Sequence, residues 1–491
     1  MDGGGKDELM MNTQIRHNYI NGEWVGGKSF ENRNPADIEE VVSTHIEATP
    51  AEVTAAVDAA QAAFPAWSSL AAPARGKYLF KVAEILESRL DQLAEEMTRE
   101  EGKTLPEARG ETIRSIDIFR YYGSEGARLP GFQVPSARPR VHMFSIRKPL
   151  GVVGLVTPWN FPSAIPAWKL APALICGNTV VLKPASAAPL SAWRIVEACH
   201  EAGIPKGVVN YVAGPGRTVG EALIEAGPLK AISFTGSVPV GQRIHEQASR
   251  RRLRIQLEMG GKNPTIVLAD CDFEASVDNV VNAAFFSTGQ KCTATSRTIV
   301  EEAIYDRFLE ALVERTRQLK VGNGLEKGVA IGPAIDQAQL DTDLRYIEIG
   351  RKEAGEPLVG GHRLTGGAYD KGYFIAPTIF AGVTPEMTIA REEIFGPVLG
   401  VMKAKNFEDA LRIANAIPFG LCASIQTGNL SRAFEFVYGA EAGLLTINLP
   451  SAGVEYQLPF GGTKDSSFGP KEQGPAALDF YSDYKTIYLK Y

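Results

Sequence analysis

Five cysteines, Cys176, Cys199, Cys271, Cys292 and Cys422, are scattered over 491 residues. They form no C-x-x-C pair, so neither a disulfide scaffold nor a structural zinc site is expected, no metal is assigned, and the question becomes which thiol is reactive. Cys292 differs from the others. Its segment, Gly289-Gln290-Lys291-Cys292-Thr293-Ala294-Thr295-Ser296-Arg297, is not a core composition, and Lys291 with a nearby helix end would favour a thiolate. Cys176, Cys199 and Cys422 sit among apolar or helical residues and read as core, while Cys271 lies between two aspartates that disfavour its ionisation. A nucleophilic cysteine needs a base. None of the six histidines is near Cys292 in sequence, so a Cys–His pairing has no support. Glu258, just before the turn Gly260-Gly261, is the better candidate, with a solvent-facing carboxylate as the alternative. Asn160, in Pro158-Trp159-Asn160-Phe161-Pro162, sits in a loop stiffened by two prolines. A fixed amide donor beside a nucleophile suits an oxyanion hole; a purely structural turn is equally open.

Three glycine-bearing segments bear on phosphate binding. Gly102-Lys103-Thr104 spells the end of a phosphate loop, but the glycine required five residues earlier is Met97, which rules that use out. Gly214-Pro215-Gly216-Arg217-Thr218-Val219-Gly220 follows an apolar strand, yet its spacing departs from the dinucleotide fingerprint and also fits an ordinary strand-to-helix turn. Phe234-Thr235-Gly236-Ser237 follows the next strand and precedes a helical Val240–Ala248, whose N-terminus can hold a phosphate.

The elements that must position these residues follow from periodicity. Thr49 to Met97 is helical, with Val53, Ala56, Val57, Ala60 and Phe64, then Leu79, Val82, Ala83, Leu86 and Leu90, at helical spacing. Leu129 to Arg140 carries three prolines and reads as an excursion. From Gly151 short apolar runs (151–156, 179–182, 208–212 and 231–234) alternate with helix-length segments such as 191–202, the pattern of a doubly wound parallel sheet. A second such pattern runs through 265–268, 298–300, the helix-like 305–319 and 443–447. The alternating tail 481–491 reads as an exposed strand whose open edge invites another subunit. With 51 basic against 57 acidic residues, the net charge of −6 argues against a nucleic-acid partner. No apolar run is long enough for a membrane span. Residues 1–10 are polar and Gly-rich, read as a disordered tail or expression remnant rather than a signal peptide, with Met11 as a candidate start; the expected location is cytoplasmic.

Seven segments, in order, resemble the aldehyde dehydrogenase superfamily: TPWNFP at 157–162, LKPAS at 182–186, FTGS at 234–237, LEMGGKNP at 257–264, GQKCTATSR at 289–297, EEIFGPV at 392–398 and PFGGTK at 459–464. The resemblance implies an α/β fold of two doubly wound domains plus a small β oligomerisation element. Its expected boundaries are 11–127 with 149–258 for dinucleotide binding, 259–450 for catalysis, and 128–148 with 475–491 for oligomerisation as a homodimer or homotetramer. It further implies Cys292 as nucleophile, Asn160 and the Cys292 N–H as oxyanion donors, Glu258 as base for thioester hydrolysis, and Lys169 and Glu472 as a proton relay. Implied cofactor contacts are Val156, Thr157, Pro158, Trp159, Lys183, Ser186, Gly216, Gly220, Phe234, Thr235, Gly236, Ser237, Val240, Glu393 and Phe395.

Many NAD-using relatives carry an acid where this chain has Ser186. A carboxylate would repel a 2′-phosphate, so NADP is the expected cofactor, with NAD as a second acceptor. The arginine that marks the succinic semialdehyde branch is replaced by Trp168, before Lys169. The stretch 164–169, the Cys292 segment and the ending 466–474 resemble the α-ketoglutaric semialdehyde (2,5-dioxovalerate) dehydrogenases; the commoner family ending has Gly where Ser467 stands. The expected reaction is 2,5-dioxopentanoate to 2-oxoglutarate. Succinic semialdehyde, glutaraldehyde or general aliphatic aldehydes are the alternative substrates. A CoA-acylating enzyme is disfavoured by Glu258, and a non-catalytic scaffold by the intact Cys292, Glu258 and Asn160. No arginine stands out in the sequence as the partner of a substrate carboxylate.

Overall fold

The computed structural model describes residues 15–491; the expected tail at 1–10 lies outside the described residues. An eight-stranded sheet forms the first α/β unit. Its five central strands run parallel in the spatial order Arg254–Glu258, Leu229–Thr235, Val152–Val156, Thr179–Lys183, Val209–Tyr211. These runs are continuously apolar because helices cover both faces. Val153, Leu155, Val180, Leu182 and Ile232 are fully buried. Strand order reverses between Val152–Val156 and Leu229–Thr235, so the loops leaving their C-terminal ends, which begin with Thr157 and Gly236, border the crevice where such sheets bind ligands.

The second unit is a six-stranded, all-parallel sheet: Thr378–Phe380, Val398–Ala404, Thr295–Glu301, Asn263–Val267, Cys422–Gln426, Leu444–Ile447. The tail strand Ser482–Lys490 pairs antiparallel with Val141–Pro149, which pairs with Gln133–Pro135. The tail therefore finds a partner within its own chain and leaves its other edge open. Phe132, Val134, Ile146, Tyr488 and Leu489 are exposed around this sheet.

Two differences from the sequence reading matter for the site. The helical stretch 49–97 is three helices, Pro50–Ser69, Ala72–Ser88 and Leu90–Glu101, and a fourth, Leu105–Glu125, follows where no element was expected. That helix has a capping box (Thr104 with Glu107), but its buried face carries Glu111, Thr112 and Ser115 beside Ile116, Ile118 and Phe119, which dilutes the apolar period. The second difference lies near the C-terminus, where Ser467–Phe468 returns to the first sheet and pairs antiparallel with Arg254–Glu258. The ending 466–474 thus lies against the strand that delivers Glu258.

Candidate active site

Cys292 stands just ahead of the strand Thr295–Glu301, at the N-terminal end of the second sheet. The chain arrives through Ser287, Thr288 and Gly289, all left-handed, with φ of 54°, 58° and 66°. For the two non-glycine residues that conformation costs on the order of 1–3 kcal/mol each and needs surrounding support. Glu107 Oε1 accepts from the Ser287 N–H (2.8 Å) and hydroxyl (3.0 Å), and Thr288 Oγ1 donates to the Gly332 carbonyl (3.1 Å). At Gly289 a Cβ would fall 2.4 Å from the Gly396 carbonyl oxygen, so no larger residue fits. Burial pushes the Cys292 thiol up to about 12, Glu258 and Glu393 push the same way, and the Thr293 N–H and Arg114 oppose them. Lys291, expected to favour a thiolate, does interact electrostatically with Cys292, but it is itself desolvated. Its ammonium donates to the Asn282 carbonyl (3.3 Å), burial lowers it to about 8, and the cation acting most on Cys292 is Arg114. Burial and the two neighbouring carboxyls thus favour the thiol form of Cys292.

Asn160 is held from two sides. One of its amide N–H groups donates to the Gln290 carbonyl (3.0 Å), which ties its loop to the Cys292 loop and leaves the other N–H for a ligand. Lys103 Nζ donates to the Asn160 carbonyl (2.9 Å) and pairs with Glu111 Oε2 (2.5 Å), with both side chains buried. Glu111 Oε1 accepts from the N–H groups of Ser163 and Ala164, which fixes the start of the helix Ala164–Ile175. The Cys292 N–H has no protein acceptor among the described residues and, like the second Asn160 N–H, is available in the cavity the two residues share.

Glu258 ends its strand at 2% exposure, which excludes the solvent-facing alternative. The cross-strand partner Ser467 donates its hydroxyl to Glu258 Oε2 (2.5 Å) and accepts from the Gly462 N–H (2.6 Å). Burial holds the Glu258 carboxyl well above the usual range, Glu472 pushes it further, and the Ser467 hydrogen bond, Lys471 and Lys169 oppose this. Lys169, fully buried on the helix Ala164–Ile175, pairs with Glu472 and donates to Ser233 Oγ (2.7 Å). Gly461 (φ +147°) lets the carboxyl approach, since a Cβ there would lie 2.5 Å from Glu258 Oε1.

Two cavities open on Cys292. The smaller, about 220 Å³, is lined by Pro158, Trp159, Asn160, Thr235, Gly236, Ser237, Glu393 and Phe395, eight of the residues singled out from sequence. Trp159 and Phe395 meet edge to face, ring centroids 5.4 Å apart. Glu393 Oε1 accepts the Gly261 N–H (2.9 Å), and burial raises this carboxyl to about 7. Gln339 also lines this cavity and was not expected. Val156, Thr157 and Phe234 lie behind it at the strand ends, with Phe234 buried against Gly236 and Gly241. Lys183, Ser186, Gly216, Gly220 and Val240 do not line it. Lys183 and Gly220 are neighbours at the next strand end, and the Lys183 ammonium donates to the carbonyls of Pro184 (2.7 Å) and Gly214 (3.1 Å) with no carboxylate partner among the described residues. Val240 is half exposed on the helix Val238–Arg251. The buried Thr157 Oγ1 and Thr235 Oγ1 have no protein partner among the described residues, which leaves polar groups free for a ligand at the switch point.

The larger cavity, about 370 Å³, also reaches Cys292 and includes Arg114, Phe161, Trp168, Lys291 and Phe460. Sequence reasoning missed Lys103 and Arg114. Lys103 lies in the Gly-Lys-Thr weighed only as a phosphate loop, and Arg114 lies on the helix whose period was hidden.

The chain matches the aldehyde dehydrogenase family model over residues 24–487. It is 50% identical to the alpha-ketoglutaric semialdehyde dehydrogenase of Bacillus subtilis (strain 168), over 96% of this chain and 98% of that one. It is 43% identical to the 2,5-dioxopentanoate dehydrogenase of Saccharolobus solfataricus, over 95% and 98%. A crystal structure of the betaine aldehyde dehydrogenase of Staphylococcus aureus in complex with NAD+ superimposes with a TM-score of 0.95 at 32% identity, covering 98% of this chain and 95% of that one.

Proposed function

This chain belongs to the aldehyde dehydrogenase family and oxidises aldehydes to acids, and from that premise we propose that its substrate is 2,5-dioxopentanoate, its product 2-oxoglutarate and its preferred cofactor NADP, with NAD also accepted. The observation that carries the chemistry is that Cys292 opens on both cavities, shares the wall of the smaller with Asn160, whose second N–H is free, and is acted on electrostatically by the buried Glu258 carboxyl. An ionised Glu258 and an ionised Cys292 oppose each other in this buried site. A protonated Glu258 removes that opposition, and the Cys292 thiol gives its proton to solvent as its sulfur adds to the aldehyde carbon. Asn160 and the Cys292 N–H receive the oxyanion. The bound nicotinamide supplies the hydride acceptor for this oxidation. Glu258, once deprotonated, takes a proton from the water that cleaves the Cys292 thioester, and Glu472 with Lys169 passes that proton on through buried groups.

The smaller cavity suits a dinucleotide. It lies at the switch point, with free threonine hydroxyls, a glycine approach and the helix Val238–Arg251 beginning after Ser237. Ser186 in place of an acid, together with the uncompensated Lys183 ammonium, supports NADP. Cofactor-binding segments 11–127 and 149–258, catalytic segment 259–450 and oligomerisation segments 128–148 and 475–491 are the corresponding domains. Ser467–Phe468 adds a strand to the first of them. The exposed apolar residues and open edge of the three-stranded sheet support a homodimer or homotetramer.

The test is kcat/KM over a panel of 2,5-dioxopentanoate, succinic semialdehyde, glutaraldehyde and pentanal, each with NADP and NAD. The proposal expects 2,5-dioxopentanoate to rank first and NADP to exceed NAD. Another aldehyde in first place overturns the substrate, and a higher value with NAD overturns the cofactor preference.

A further inference from the structure

The larger cavity contains two acids and two cations, yet their charges are not equally available. Glu107 Oε2 accepts from the Thr104 N–H (2.9 Å) and hydroxyl (2.8 Å), and its Oε1 accepts from Ser287. Glu111 gives one oxygen to Lys103 and the other to the N–H groups of Ser163 and Ala164. All four carboxylate oxygens are consumed by the framework. Arg114 and Lys291 have no carboxylate within ion-pair distance among the described residues. Lys291 donates to a carbonyl. Arg114 donates from Nη2 to Gln473 Oε1 (3.2 Å), lies over the Trp168 ring (5.4 Å to the centroid), and its Nε–H is buried without a partner among the described residues. A partly buried guanidinium whose buried Nε donor is idle is an incomplete fork: it has the planar geometry for a carboxylate and lacks one.

We propose that Arg114 is the anchor for the distal carboxylate of an ω-oxo acid, holding it in the larger cavity with the aldehyde end at Cys292. The proposal rests on the reading of the substrate as an ω-oxo acid. Trp168 packs the guanidinium from one face and Gln473 fixes one of its donors, so the fork is oriented before substrate arrives. Lys291 would serve as a second, weaker source of positive charge beside the thiol.

The discriminating quantity is the ratio of kcat/KM for 2,5-dioxopentanoate to that for pentanal, a neutral aldehyde of equal chain length. General damage to turnover cancels in this ratio. Arg114→Met is expected to lower it about 100-fold, mainly through KM for the acid, the scale of one charge-assisted pair. Arg114→Lys keeps the charge and loses the fork, and should lower it about tenfold; it also serves if the methionine variant does not fold. A ratio within threefold of the unmodified enzyme in either variant overturns the assignment. So does a larger fall in Lys291→Met than in Arg114→Met, which would move the anchor to Lys291. If the unmodified enzyme itself prefers pentanal, the substrate reading fails, an outcome distinct from an acid-preferring enzyme indifferent to Arg114.

Discussion

The two cavities share Cys292 and little else. The smaller is made where parallel strands end: glycines, hydroxyls, an edge-to-face aromatic pair and one carboxyl, Glu393, already bonded to the Gly261 N–H. The larger is made from the face of one helix, Leu105–Glu125, and the loop before Cys292, with aromatic walls and four charged side chains. Counting charges would call that second cavity neutral. Hydrogen-bond accounting gives a different answer, because both acids are spent on the framework and both cations are not. The sign of a cavity follows from which charges the fold has already compensated.

The sharpest way to break this picture is to remove what the cavities share. Cys292→Ala should lower aldehyde oxidation by at least about 10⁴-fold, as loss of a covalent nucleophile does. Near-normal turnover in that variant would refute the covalent route and, with it, the meaning of the junction. Glu258→Gln should lower steady-state turnover about 10²–10⁴-fold while sparing the first oxidation relative to hydrolysis. Rapid mixing should therefore show a burst of reduced nicotinamide of about one equivalent per site, followed by a slow phase; a slow first turnover without a burst would place Glu258 before the oxidation instead. Asn160→Ala should cost about 10²–10³-fold in kcat, the usual loss for one oxyanion donor. Because Asn160 lies on the smaller cavity's wall and serves a substrate entering by the larger, that loss should be similar with NADP and NAD. A loss confined to one cofactor would show that Asn160 acts through cofactor binding.

How far the sequence spoke for each region has a physical basis. Val152–Val156, Thr179–Lys183 and Leu229–Thr235 were legible because strands buried on both faces are unbroken apolar runs. In the smaller cavity, 158–160 and 235–237 lie at the carboxyl ends of such strands, where ligand sites are a rule of the topology, whereas Glu393 and Phe395 were pointed out only by the family resemblance. Cys292 obeys no such rule, sitting at the N-terminal end of a strand; its polar neighbours betrayed it. The larger cavity was nearly silent. Its helix hides its period behind the buried Glu111, Thr112 and Ser115, and Arg114 meets Trp168 and Gln473 only in three dimensions. Lys103 was visible as a residue and judged against phosphate binding alone, whereas the fold uses it as a buried clamp between Glu111 and the Asn160 carbonyl. A buried lysine whose partners come from a distant loop leaves no local spacing to read.

Ser467 yields the smallest and most specific effect. Its hydroxyl gives its proton to Glu258 Oε2, while the oxygen is held by the Gly462 N–H. A donor favours the ionised carboxylate, so this bond opposes the upward push that burial and Glu472 exert on Glu258. Hydrolysis needs Glu258 deprotonated, so thioester turnover must rise with pH as the carboxyl ionises. Ser467→Ala removes the opposing bond, raises the Glu258 carboxyl further and moves that rising limb to higher pH. At pH 7 the variant should turn over about three- to tenfold more slowly, within the range of one hydrogen bond to a charged group, and should recover toward the unmodified rate as pH increases. The burst should keep its amplitude, because the oxidation at Cys292 does not use this bond. If Ser467→Ala instead lowers the rate by the same factor at every pH, the hydroxyl positions the carboxyl in space without setting its charge. The burst experiment and the pH profile together then separate the chemistry of the cysteine from that of its base.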